Sequence, residues 1–342
     1  MKAYDYIDSI LKAPLEKIEG IKIGTSVEGQ TIEGFRFGKG NKNISLIAGN
    51  HADEPIGPLL LKKLVSYFSS LSENHPLFEK FSWWIVPHTN PDGEKQNLKW
   101  YHYTDSKTDL DQYLLHVQRE LPGRDLEFGY PIEGKIPALR PENTAVYNFW
   151  KTANAPFSLH ASLHGMKSSY GAWFLIDEDW IDRTRKLRQD CKQKTIELGY
   201  DLYDLDRNGE KGFSRIDEGF CTRPDGGKMR EHFLNLGDTK TAAQFHASSM
   251  ESIRSLGGDC LTLVSEMPLF IFPKKERKLV WPDTYLDQWR DQFTQWKTDL
   301  ISGTVSANAL KIDMESKGVY AMPWEDQMKL QWQLIASGLE TI

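Results

Sequence analysis

Apolar residues fall into two kinds of run along this chain, and their order sketches the fold. Residues 43–48, 81–87, 157–163, 172–176 and 260–265 are short, almost unbroken apolar runs, as in strands covered on both faces. Elsewhere apolar residues recur every third or fourth position. Leu59, Leu60, Leu61, Leu64, Val65 and Phe68 form one such stripe, with Pro58 near its start. Similar spacing predicts helices over 4–17, 142–150, 179–198, 239–256, 283–300 and 324–338. Alternation in 21–25 and 30–37, about Val27-Glu28-Gly29-Gln30, predicts a hairpin. Residues 94–141 are polar, aromatic and irregular, and 203–240 are glycine-rich, so both read as long loop segments. Strands alternating with helices predict an α/β fold, a mixed, largely parallel central sheet with helices on both faces.

Composition then removes function classes. Lys plus Arg number 42 against 48 Asp plus Glu, a formal charge of −6. No segment gathers the basic charge of a nucleic-acid footprint, so no nucleic-acid partner is expected. The longest apolar runs are far too short to span a bilayer, and no membrane partner is expected. Cys191, Cys221 and Cys260 make neither a disulfide scaffold nor a cysteine-based zinc site. The amino terminus lacks a signal-peptide pattern, so the expected location is the cytoplasm. Length alone, 342 residues against about 150 for a common domain, predicts two domains.

Candidate chemistry gathers where strands end. Gly49-Asn50-His51-Ala52-Asp53-Glu54 follows the run 43–48 and precedes a helix. Ligands bind at such carboxyl ends in open α/β sheets. A His-x-x-Glu spacing through a tight turn lets an imidazole and a carboxylate point to one spot, good ligation for a single Zn²⁺. His164, at the end of 157–163, is the best third ligand. His160 is four residues earlier and lies about 13 Å away along the strand, which predicts a core or supporting role for it. Glu266 closes the run 260–265 and supplies a carboxylate for general-base work.

His51-x-x-Glu54, then Asn90-Pro91-Asp92-Gly93, then Ser162-Leu163-His164, then the strand-end Glu266 resembles the zinc carboxypeptidases of the carboxypeptidase A type. The chain reads as a divergent, bacterial-type member. The hairpin Ile23 to Ile32 matches their leading hairpin, and the resemblance spans about residues 20 to 275. It implies that His51, Glu54 and His164 hold one zinc ion, that Glu266 activates its water, and that an amide bond of a peptide or acyl-amino-acid substrate is cut. Asn90 is expected to face the substrate.

Departures from the family pattern carry expectations of their own. The family's Asn-Arg pair, whose Arg grips a terminal carboxylate, is Glu127-Phe128 in Gly123-Arg124-Asp125-Leu126-Glu127-Phe128. Glu127 therefore lies in the substrate region and opposes a carboxylate, with Arg124, Arg140 or Arg223 as substitutes for the lost fork. Lys99 falls near the place of the family's oxyanion-stabilising Arg and takes that role in this reading. His246 falls near the family's mobile Tyr and is the substitute donor. Three substrate readings remain: a peptidase, a deacylase or amidase like the succinylglutamate desuccinylases and aspartoacylases, and a peptide-binding module without turnover. His51 and Glu266 lie more than two hundred positions apart yet must meet at one water, which predicts a single catalytic domain over 1–342. Its core covers about 20–300, with inserts near 94–141 and 203–240 and a helical tail over 301–342.

Overall fold

The computed structural model describes residues 3–275 and 281–342. Eleven strands make up its sheet: β1 (Ile21–Thr25), β2 (Thr31–Phe37), β3 (Lys42–Ala48), β4 (Phe81–Val86), β5 (Phe157–Ser169), β6 (Gly171–Ile176), β7 (Asp201–Leu202), β8 (Arg215–Asp217), β9 (Phe220–Thr222), β10 (Leu261–Ile271) and β11 (Tyr320–Ala321). The main path runs β1-β2-β4-β3-β5-β10-β6-β9-β8, with β11 beside β10 and β7 beside β6. Its centre, β4-β3-β5-β10, is parallel, while β1, β2, β8 and β11 pair antiparallel. β10 and β6 also pair antiparallel. The fold is the expected mixed, largely parallel sheet.

Helices cover both faces. One face buries α1 (Ile7–Lys12), α2 (Ile56–Ser69), and the later α7 (Arg185–Glu197) and α13 (Trp324–Thr341) in a large apolar layer that includes Leu60, Leu64, Trp332 and Leu334. The other face is capped by α6 (Pro141–Trp150) and α10 (Ser249–Arg254), whose Ile253 joins Trp84, Val86 and Phe157 in a second apolar layer. The remaining helices are α3 (Pro76–Lys80), α4 (Pro91–Asn97), α5 (Leu110–His116), α8 (Gly226–Asn235), α9 (Thr239–Ala242), α11 (Thr284–Ser302) and α12 (Ala307–Ser316). No helix among the described residues is long and apolar enough to cross a membrane.

Departures from the expected elements have local causes. α1 stops at Lys12, because Pro14 disfavours helical backbone at Ala13. The segment 94–141 is not irregular throughout: it carries α5 and the end of α4. The glycine-rich segment contains β8, β9 and α8; Gly219 turns the chain between β8 and β9 and Gly237 follows α8, both at positive φ, while Gly226 and Gly227 begin α8. The expected helix 239–256 is broken into α9 and α10, and Ser248 starts the second with a reciprocal capping box to Glu251.

Two glycines set the edge that matters. β3 ends at Ala48, and Gly49 just beyond it turns the chain with a φ of +80°; a Cβ there would meet the His88 ring at 2.5 Å. Gly57, in the first turn of α2, lies so close to the sheet that a Cβ would meet Leu163 at 2.8 Å and Ala48 at 3.0 Å. The start of α2 is thereby pressed onto the carboxyl end of β3 and the middle of β5. The chain passes from β3 to β4 on one side and later to β5 on the other, so β3 and β5 flank the topological switch point.

Candidate active site

His51 and Glu54 occupy the tight turn between β3 and α2, where Glu54 N–H donates to the His51 carbonyl at 3.3 Å. The turn brings both side chains to one side. His164 lies within β5, one residue past Leu163, which is paired with Ala48 at the end of β3; β5 runs on to Ser169 rather than ending at this residue as expected. The three donors therefore converge. His51 Nδ1 lies 2.9 Å from Glu54 Oε1, His164 Nδ1 lies 2.9 Å from Glu54 Oε2, and the two Nδ1 atoms are 3.1 Å apart. Among the described residues, these three make up the group whose donor atoms could hold a metal ion.

Chemistry supports a cation at that point. Burial would raise the Glu54 carboxyl, but His51, Arg119 and His164 hold it well below its usual range. Burial would likewise lower His164, yet Glu127 and Glu54 hold it well above the usual histidine range. A centre that keeps a proton against such burial is one built for positive charge. Two imidazole nitrogens and a carboxylate fit a single zinc ion, which takes such ligands at about 2.0–2.2 Å and leaves a fourth position open.

Behind the donors stands a second set of partners. His164 turns its other nitrogen, Nε2, toward Glu127 Oε2 at 3.0 Å and Ser162 Oγ at 2.8 Å. A carboxylate on the far nitrogen fixes the ring and leaves Nδ1 free to bind. Glu127 also accepts from Asn50 Nδ2 at 2.7 Å and from Arg223 Nη2 at 2.6 Å. His164 first, then Arg223, overcome its burial and hold its carboxyl far below the usual range. His160 is fully buried between Ser45 Oγ and Ser249 Oγ, a core histidine held neutral by burial and by Arg223.

Glu266 sits directly across from His164 in the β5–β10 register and faces the opening beside the three donors. Burial first, then the Glu54 charge, push its carboxyl up to about 8 in the metal-free chain. Arg119 approaches from the other side, with Nη1 donating to Asp53 Oδ1 at 2.9 Å and to Glu54 Oε1 at 2.7 Å.

Four expected site residues are placed elsewhere. Lys99 is exposed in the turn after α4 and lines none of the cavities around the donors. Arg124 is also exposed, and its carbonyl accepts from Arg140. Asn90 is buried and caps α4, accepting from Gly93 N–H at 3.1 Å and donating to Glu120, so its polar atoms are engaged by the fold. His246 binds the Pro137 carbonyl through Nδ1 at 2.9 Å, away from the donors. Asp92 holds the leading hairpin, accepting from Ser26 Oγ at 2.6 Å and Glu28 N–H at 2.9 Å. The Asn-Pro-Asp-Gly turn is thus a brace of the fold. Arg119 and Arg223, beside the donors, were the residues that spacing missed or left among alternatives.

Comparison with known proteins places this geometry. A family model described as zinc carboxypeptidase matches residues 3–187, more than half of the chain. A zinc carboxypeptidase from Simulium vittatum is 33% identical over 97 residues, covering 26% of this chain and 31% of that protein. Zinc carboxypeptidase A 1 from Anopheles gambiae is 28% identical over 92 residues, 26% of this chain and 21% of its own. The matches thus span a third or less of these curated relatives. The solved carboxypeptidase A from Helicoverpa armigera is 12% identical and superposes with a TM-score of 0.50 over 98% of this chain and 71% of that one, so it shares the fold. A metallo-carboxypeptidase from Pseudomonas aeruginosa, 20% identical with a TM-score of 0.44, covers 77% of this chain and 58% of that one. This chain belongs to the zinc carboxypeptidase family.

Proposed function

We propose that the chain is a zinc-dependent peptidase that removes a carboxyl-terminal residue, with His51, Glu54 and His164 as ligands and Glu266 as general base. One observation carries the reading: three donors within 3.1 Å of their neighbours, with Glu266 in register on the next strand. When bound, zinc polarises the scissile carbonyl and lowers the pKa of its water towards 7. Glu266 takes a proton from the attacking water and delivers it to the leaving nitrogen. Arg119, a guanidinium held against Asp53 and Glu54, turns its remaining N–H groups to the developing oxyanion, the role that linear spacing gave to Lys99.

The terminal carboxylate finds its counter-charge at Arg223. Phe128, Leu175, Phe213, Val264 and Arg223 line a cavity of about 130 Å³ bounded by Glu266 and the two histidines. Arg140 is spent on Glu120 and Glu142, whereas Arg223 Nη1 has no partner among the described residues. Glu127 is then a positioning residue, tying Arg223 to His164, and its charge is already answered by both. That pocket favours the peptidase over the deacylase reading.

We also read 1–342 as one catalytic domain. Supporting this, the tail packs back on the sheet: Lys42 Nζ donates to the Ile342 carbonyl at 2.8 Å, and Gln331 Nε2 donates to the His164 carbonyl at 3.3 Å. The cytoplasm is the location we assign, supported by three free, buried thiols; fractionation of tagged protein into an extracellular fraction would overturn it. The function itself is tested with zinc-loaded Glu266→Gln and a panel of peptides. Loss of carboxyl-terminal trimming with zinc retained supports the assignment; full activity sinks it.

A further inference from the structure

A second opening lies on the other side of Glu266. This cleft, about 570 Å³, is walled by β5 past His164, by α5 and by one face of α11. Lys167 enters it from β5, three residues beyond His164, about 10 Å along the strand. Arg290, Thr294 and Lys297 enter from α11 at i, i+4 and i+7, a spacing that puts all three on one helix face.

Charge in this cleft is unbalanced. Asp53 is engaged by Arg119, and Arg290 pairs with the exposed Asp287 at 2.8 Å. Lys167 and Lys297 have no carboxylate partner among the described residues. Lys167 has its ammonium 5.0 Å from the Phe293 ring instead. Burial and the neighbouring Arg290 and Lys297 push its pKa below the ordinary lysine value. Mutual repulsion of like charges in a half-buried cleft costs stability, and an anion placed among them offsets that cost.

We propose that this cleft is the subsite for an acidic stretch of the substrate, holding carboxylate side chains two and three residues to the amino-terminal side of the scissile bond. The inference rests on the peptidase reading for its polarity. A terminal residue seated in the Arg223 pocket leaves the rest of the peptide to exit past Glu266, which borders both cavities. An extended peptide advances about 3.3 Å per residue, so Lys167 meets the second or third residue outward. Arg290 and Lys297 are seven residues apart, about 10 Å along the helix axis. Cations spread over that length suit separate carboxylates rather than a single phosphate.

The test is binding, so that it does not depend on turnover. Zinc-loaded Glu266→Gln protein is titrated with a labelled pentapeptide carrying Glu at those two positions and with its Gln counterpart. The Glu peptide is expected to bind about tenfold more tightly, and the preference to fall below about twofold when Lys167→Gln and Lys297→Gln are added. Arg290→Gln, at an exposed position, reduces the preference less. Equal affinity for the two peptides overturns the proposal, as does a preference that survives both lysine substitutions in protein with an unchanged melting profile. Inorganic phosphate that displaces the Glu peptide as well as a free Glu-rich peptide does, at matched ionic strength, overturns it too. If the unsubstituted protein cleaves neither peptide while the Glu preference holds, the peptidase reading fails and the acidic subsite stands.

Discussion

The two cavities that flank Glu266 handle charge in opposite ways. On the Arg223 side nearly every charge is answered within the fold: Arg223 by Glu127, Glu127 by His164 and Asn50, and His164 by Glu54. On the Lys167 side, Lys167 and Lys297 stand without counter-charges among the described residues, and their neighbour Arg290 shares only a solvent-exposed pair. Answered charges fix geometry, because removing either partner leaves the other buried and uncompensated. Unanswered charges fix little and are free to meet a ligand. The first wall therefore positions its groups, with Arg223 Nη1 alone left open to the terminal carboxylate among the described residues, and the second selects.

Substitutions separate these roles by size of effect. Glu266→Gln is expected to lower kcat by about 10³-fold while zinc content stays at one per chain, read by steady-state kinetics beside elemental analysis. Arg119→Met should cost about 10²-fold in kcat/KM, with Arg119→Lys recovering only part of the loss. On the answered wall, Glu127→Gln is expected to weaken zinc binding by about tenfold or more, measured by competition with a chelator, since the His164 ring loses its carboxylate. Zinc affinity equal to that of the parent chain would show that the wall does not position the ligand.

Stability against pH gives a smaller effect of defined sign. In zinc-free protein the folded-state pKa of Glu266 is raised to about 8, above its ordinary value. The fold binds a proton there that the unfolded chain has already released, so stability falls as pH rises from about 4.5 to about 8. The melting temperature of the metal-free protein is expected to decline over that window, and that of metal-free Glu266→Gln to decline less. Smallest of all, Lys99→Ala should leave kcat/KM within about twofold of the parent, as for a surface residue outside the site.

How legible these features are in the sequence follows from how local their signals are. His51, Glu54, His164 and Glu266 can be read because each sits at the end of an apolar run; His51 and Glu54 do follow the end of β3, whereas β5 and β10 continue past His164 and Glu266 to Ser169 and Ile271. Arg119 and Arg223 carry no such mark. Their partners Glu54 and Glu127 lie 65 and 96 residues away, so only the folded chain brings them together. The capping role of Asn90 is not legible because an Asn that caps a helix and one that binds substrate look alike in sequence. Lys99 lies outside the cavities around the donors because order along a loop is no guide to position in space. Helix α12 falls in the expected helical tail but is not delimited by the sequence, because only Leu310 and Met314 of its ten residues are buried apolar positions, too few to make a stripe.

The most direct test is anomalous scattering at the zinc absorption edge from crystals of the zinc-loaded protein. The account predicts one peak, about 2.1 Å from His51 Nδ1, His164 Nδ1 and a Glu54 oxygen, with Glu266 facing it across an open coordination position. A peak bound elsewhere, or none at that triad in protein that trims peptides, would contradict it.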